Sequence, residues 1–130
     1  MSGSAVARRV LVAEDEPNIV LSLECLLSGA GHEVAVARNG PDALDLAERL
    51  CPDLVVLDVM LPLVDGFEVC RRLRRSPATQ ETRILMLTAR GRQSEIDKGM
   101  AAGANAYMTK PFATRELIDV VANLLAGASK

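Results

Sequence analysis

The chain has 130 residues, 49% of them hydrophobic and 25% charged, with a formal net charge of −2. That length and balance suit one folded domain and exclude wholesale disorder. The mild acidity speaks against a general nucleic-acid binder, and no apolar run is long enough to span a bilayer. Residues 1–8 lack the apolar stretch of a signal peptide and read as a flexible segment ahead of a domain at 9–126, with 127–130 as a tail. Cys25, Cys51 and Cys70 are odd in number and form no CxxC pair. They suggest neither a disulfide framework nor a zinc site and fit a reducing, cytoplasmic setting.

In chain order, Arg9–Ala13 is the first strand candidate. Ile19, Leu23, Leu26 and Leu27 then recur at helical spacing. Ala30-Gly31-His32 breaks that helix before a short strand at Val34–Val36. Asn39-Gly40-Pro41 breaks the chain again before the helical set Leu44, Ala47 and Leu50. Leu54–Leu57 is apolar on both faces, as a central parallel strand must be. Asp65-Gly66 opens a third helix whose apolar face carries Phe67, Cys70 and Leu73. Ile84–Leu87 repeats the central-strand pattern, and Asn105–Met108 is the weakest strand. Leu117, Val121, Leu124 and Leu125 mark the last helix. Strands alternating with helices in this way imply an α/β fold with a parallel sheet covered on both faces and right-handed crossovers.

Three side groups are assigned no chemistry. Arg71, Arg72, Arg74 and Arg75 read as the solvated face of the third helix. The three cysteines lie on or beside apolar helix faces and read as buried thiols. His32, the single histidine, sits in the turn before the second strand, away from the strand ends that carry the polar residues below.

Those polar residues follow the strands. Glu14 and Asp15 end the first, Asp58 the third and Thr88 the fourth, while Lys110 follows the fifth. A parallel sheet puts all strand C-termini on one edge, where open α/β sheets bind ligands. Three carboxylates together repel unless a proton or a cation compensates. Lys110 supplies one charge, and a hard divalent ion such as Mg²⁺ (or Mn²⁺) would supply the rest. A carboxylate can also act as a nucleophile toward phosphorus, and Asp58, ending the most apolar strand, is the central candidate. Lys110 and Thr88 would then stabilise charge on a transferring phosphoryl group.

The motifs resemble the receiver domain of bacterial two-component response regulators over Arg9 to about Leu125. They are Val12-Ala13-Glu14-Asp15-Glu16, Asp58-Val59-Met60-Leu61-Pro62 with Asp65-Gly66, Leu87-Thr88-Ala89, Gly103-Ala104 and Tyr107-Met108-Thr109-Lys110-Pro111-Phe112. The resemblance implies a flavodoxin-like (βα)5 three-layer sandwich with strand order 2-1-3-4-5. It implies that Asp58 is the phosphoacceptor, that Asp15, Asp58 and the Met60 backbone carbonyl bind Mg²⁺, and that Glu14 reaches the metal through water. Lys110 corresponds to the phosphate-binding lysine, with a cis bond to Pro111. Thr88 and Tyr107 correspond to the switch pair: Thr88 moves toward the phosphoryl group and the Tyr107 ring fills the space it leaves. Met60 and Arg90 correspond to positions that flank the phosphoryl group and tune its lifetime.

The expected function is therefore a signalling switch rather than an enzyme. A sensor histidine kinase or phosphotransfer protein is the donor, and the surface of the fourth helix, fifth strand and fifth helix is the output. An aspartate-nucleophile phosphatase of the haloacid-dehalogenase type needs a second acid where Met60 stands. A pseudo-receiver, a protein-binding module without phosphorylation, is the alternative, and such domains usually lose an acid or the lysine. The five residues after Leu125 hold no output domain, so a stand-alone receiver or one cut from a longer chain is expected, acting on a downstream protein target or effector domain. No direct nucleic-acid or membrane contact is expected. Asn105-Ala106 and Val120 replace the charged residues of the winged-helix subfamily's dimer face, so a monomer or weak dimer is expected.

Overall fold

The computed structural model describes residues 8–89 and 91–128. The expectation placed on Arg90, and most of those placed on the two terminal segments, lie outside the described residues. The elements are β1 (Arg9–Ala13), α1 (Pro17–Gly29), β2 (Glu33–Ala37), α2 (Gly40–Leu50), β3 (Leu54–Asp58), α3 (Gly66–Arg75), β4 (Arg83–Thr88), α4 (Gln93–Ala102), β5 (Ala106–Thr109) and α5 (Thr114–Ala128). All strand pairs are parallel, and the sheet runs β2-β1-β3-β4-β5.

Alternation along the strands builds two cores. Leu11, Val55, Leu57, Ile84 and Met86 point to one face and pack with Ala43, Ala47, Phe67, Cys70 and Leu73 of α2 and α3 and Ala102 of α4. Val10, Val12, Val56, Leu85 and Leu87 point to the other and meet Leu23 and Leu27 of α1 and Leu117, Val121 and Leu125 of α5. Fully burying one such aliphatic side chain stabilises by roughly 1.5–3 kcal/mol. The solvent-facing ion pairs, such as Arg49–Asp45, contribute far less each.

Helix starts follow their caps. Glu16 accepts from the Asn18 amide with Pro17 in the first turn, Asn39 accepts from Asp42 at 2.8 Å, and Asp65 accepts from Glu68 at 2.9 Å. Gly66 is required by close approach: a β-carbon there would collide with the Asp58 carbonyl. The start of α3 is thereby pressed against the end of β3. Gly103 ends α4 at φ +114°, a left-handed conformation that favours glycine.

Two sequence expectations are corrected. Cys25 and Cys51 are exposed, and only Cys70 is buried. Cys25 sits at the rim of the α1 apolar stripe, and Cys51 is the left-handed C-cap of α2. Arg74 is also no solvated surface residue. Its guanidinium donates to the carbonyls of Gly103 (2.9 Å), Thr82 (2.6 Å) and Gln80 (3.2 Å) and to Asn105 Oδ1 (2.8 Å). Helical periodicity places a residue on a face, but here the α3–β4 and α4–β5 connections fold over that face and supply the acceptors.

Candidate functional site

The polar strand ends converge as parallel topology requires. Val59 N donates to Leu87 O and Lys110 N to Thr88 O, tying together the C-terminal ends of β3, β4 and β5. Glu14 and Asp58 are buried, at 1% and 3% exposure, while Asp15 is exposed. One oxygen from each of the three carboxylates falls within 4.8 Å of the others. Lys110, after the cis Lys110–Pro111 bond, puts Nζ 2.8 Å from Glu14 Oε1 and 3.3 Å from Asp58 Oδ2. The backbone amides of Glu16 and Met60 donate to Glu14 Oε2 and Asp58 Oδ1. The Met60 side chain stands 73% exposed beside Asp58.

Burial decides the electrostatics at Glu14. It pushes the carboxyl above its ordinary value and Asp58 adds to the push, although Lys110 and the Glu16 amide pull it down. Burial draws the Lys110 ammonium down, but Glu14 and Asp58 outweigh it and hold it above the ordinary lysine value. The contact between Lys110 and Glu14 is a close, buried ion pair, 2.8 Å from Nζ to Oε1. Glu14 and Asp58 thus share one ammonium, and the third carboxylate, Asp15, adds a negative charge that Lys110 does not pair. Hard oxygen donors with surplus negative charge, reachable from solvent at Asp15, fit Mg²⁺.

Thr88 and Tyr107 meet on a residue that sequence reasoning missed. Thr88 Oγ1 donates to Glu95 Oε1 at 3.3 Å and Tyr107 Oη to the same atom at 3.4 Å. Burial, together with Glu95, raises the Tyr107 hydroxyl, while a Thr88 hydrogen bond opposes the shift. One turn along α4, Gly99 faces the Tyr107 ring, where a β-carbon would lie 3.1 Å from ring carbon Cε2. Lys98 of α4 stands 4.5 Å over the centroid of Phe67 at the start of α3. Nothing in the local sequence marks Glu95, which looks like an ordinary first-turn helix acid. His32 lies between α1 and β2, away from these strand ends, with Nδ1 unpartnered among the described residues.

Comparison with known proteins identifies relatives of this chain. Residues 10–122 match the family model of the response regulator receiver domain. The chain is 46% identical over 121 residues to the phosphate regulon transcriptional regulatory protein PhoB of Rhizobium meliloti (strain 1021), covering 92% of this chain and 53% of that protein. It therefore spans about half the length of this curated relative. A crystal structure described as a response regulator from Chloroflexus aurantiacus superposes with a TM-score of 0.89 at 41% identity, over 93% of this chain and 99% of that one. The receiver domain of the sensor histidine kinase PA1611 from Pseudomonas aeruginosa, crystallised with a magnesium ion in its active-site cleft, gives 0.86 at 29% identity, over 93% and 99%.

Proposed function

The chain belongs to the response regulator receiver domain family, and from that premise we propose that Asp58 accepts a phosphoryl group from the phosphohistidine of a sensor histidine kinase or phosphotransfer protein. The observation that carries the proposal is the Asp58 carboxylate, buried at the end of β3 among Glu14, Asp15 and Lys110. Receiver domains are signalling modules rather than classical enzymes.

An Asp58 oxygen attacks phosphorus, an O–P bond forms, and the N–P bond to the donor imidazole breaks as that imidazole takes up a proton. Lys110, already held protonated beside Asp58, neutralises charge on the transferring group. Asp15, Asp58 and the Met60 carbonyl would hold Mg²⁺ directly, with Glu14 acting through water. Bound Mg²⁺ would supply further positive charge to the phosphoryl oxygens. Hydrolysis later breaks the O–P bond, releases phosphate and restores the Asp58 carboxylate. The exposed position of Met60 is where a side chain would meet the attacking water, and Arg90 is the second position assigned to lifetime.

The new charge and acceptor oxygens draw the Thr88 hydroxyl toward the phosphoryl group. Tyr107 follows into the space beside β4, and the α4–β5–α5 surface changes. A downstream protein target or effector domain reads that surface. The absence of acidic residues just before Tyr107 supports a monomer or weak dimer. Among the described residues no helix is long and apolar enough to cross a membrane. The cytoplasm is the setting we infer, from cysteine usage and the kinase partner.

Intact mass after incubation with acetyl phosphate and Mg²⁺ tests the proposal. One phosphoryl group on wild type is expected, and none without Mg²⁺ or in Asp58→Asn. An unmodified wild type, with rapid sampling excluding fast loss, would favour the pseudo-receiver reading instead.

A further inference from the structure

Glu95 Oε1 is a shared acceptor. Thr88 Oγ1 and Tyr107 Oη approach it at 3.3 and 3.4 Å. Both bonds to Glu95 are long for O–H···O contacts. Each is therefore weak and easily exchanged. A threonine hydroxyl has one proton to donate. Thr88 can give it to Glu95 or to a phosphoryl oxygen on Asp58, but not to both at once. The phenol is held at its other end too, because its ring lies against α4 at Gly99, where no side chain intervenes.

We propose that Glu95 is a positioning residue of the unphosphorylated state: its carboxylate competes with the aspartyl phosphate for the Thr88 proton and keeps Tyr107 against α4. Phosphorylation must then displace Thr88 from Glu95 before the switch can complete. Removing the carboxylate removes the competitor and eases the phosphorylated arrangement. This inference rests on the phosphoacceptor reading of Asp58. Its structural counterpart, a first-turn acid that merely supports α4, predicts lost helix stability and no easier activation.

Glu95→Gln, which keeps an acceptor without the charge, and Glu95→Leu, which removes both, are compared with wild type. The chain has one tyrosine and no tryptophan, so its near-ultraviolet emission reports Tyr107 alone. A phenol bonded to a carboxylate is quenched, so emission should rise in Glu95→Leu and less in Glu95→Gln. The half-saturating concentration of beryllofluoride with Mg²⁺, followed by NMR, should fall roughly 3- to 10-fold in Glu95→Leu and less in Glu95→Gln. An equal or higher concentration in a folded Glu95→Leu overturns the proposal, as does unchanged emission in both variants. Should Glu95→Leu fail to fold, Glu95→Gln carries the same two comparisons. No beryllofluoride response in wild type would fail the phosphoacceptor reading. The emission comparison needs no ligand and would still decide whether Glu95 holds Tyr107.

Discussion

Lys110 Nζ lies 2.8 Å from Glu14 Oε1, a carboxylate only 1% exposed. The same ammonium reaches Asp58 Oδ2 at 3.3 Å, so one cation compensates two buried anions. Replacing Lys110 with methionine keeps the packing stem and leaves both anions unpaired. The expected loss is about 2–4 kcal/mol at neutral pH, since a broken buried pair strands its partner. Glu14 is already raised by burial. A carboxyl raised in the folded state costs stability as pH climbs from its unfolded value through its folded one. The Lys110→Met deficit should therefore shrink below the ordinary carboxylate range, in urea denaturation at acid and neutral pH. Equal deficits at both would contradict it. The raised Lys110 value keeps the wild-type pair intact until alkaline pH.

Mg²⁺ should stabilise the protein, because the folded state gathers three carboxylates that the unfolded chain disperses. At one hundred times its dissociation constant the gain is about 2.7 kcal/mol. Thermal unfolding with and without Mg²⁺ reads it. Asp15→Ala and Asp58→Asn should lose most of the increment.

The thioether of Met60 cannot orient a water by a strong hydrogen bond, yet it stands beside Asp58 in the open. Met60→Asn and Met60→Glu should lose phosphate several-fold faster than wild type. Decay of the phosphorylated mass after donor removal measures this, and equal or slower loss in both variants refutes it.

Arg74 fastens three segments at the opposite edge of the sheet. Besides its carbonyl partners it donates to Asn105 Oδ1, which also accepts from the Ile84 amide at 2.8 Å. Arg74→Ala should destabilise by about 2–4 kcal/mol, because several half-buried acceptors lose their donor together. Arg74→Lys should recover only part, since an ammonium cannot span that fork. Chemical denaturation compares the three.

Thiol chemistry should divide the cysteines by exposure. Cys25 and Cys51 should react with a water-soluble thiol reagent in the native protein. Cys70 donates to Ala102 O at 3.4 Å, and burial pushes its thiol up to about 11. A raised thiol stays protonated at neutral pH and is a poor nucleophile. Cys70 should react only on unfolding, and fast native labelling of all three would contradict its burial.

The parallel sheet and the gathering of polar residues at its edge are legible in the amino-acid sequence alone. The strands are short apolar runs, the first, second, third and fifth helices carry apolar residues at helical spacing, and parallel pairing then brings Glu14, Asp15, Asp58, Thr88 and Lys110 to one side. Those are consequences of local periodicity and chain connectivity, which a sequence carries directly. Which partner each polar side chain takes was decided only in three dimensions. Lys110 divides itself between Glu14 and Asp58, Arg74 turns from solvent to acceptors in the α3–β4 and α4–β5 connections, and Cys25 and Cys51 stay in water. Glu95 joins Thr88 to Tyr107 although seven and twelve residues separate it from them. Hydrogen bonds are fixed by differences of a few tenths of an ångström between elements remote in the chain, and helical or strand period carries no information at that scale.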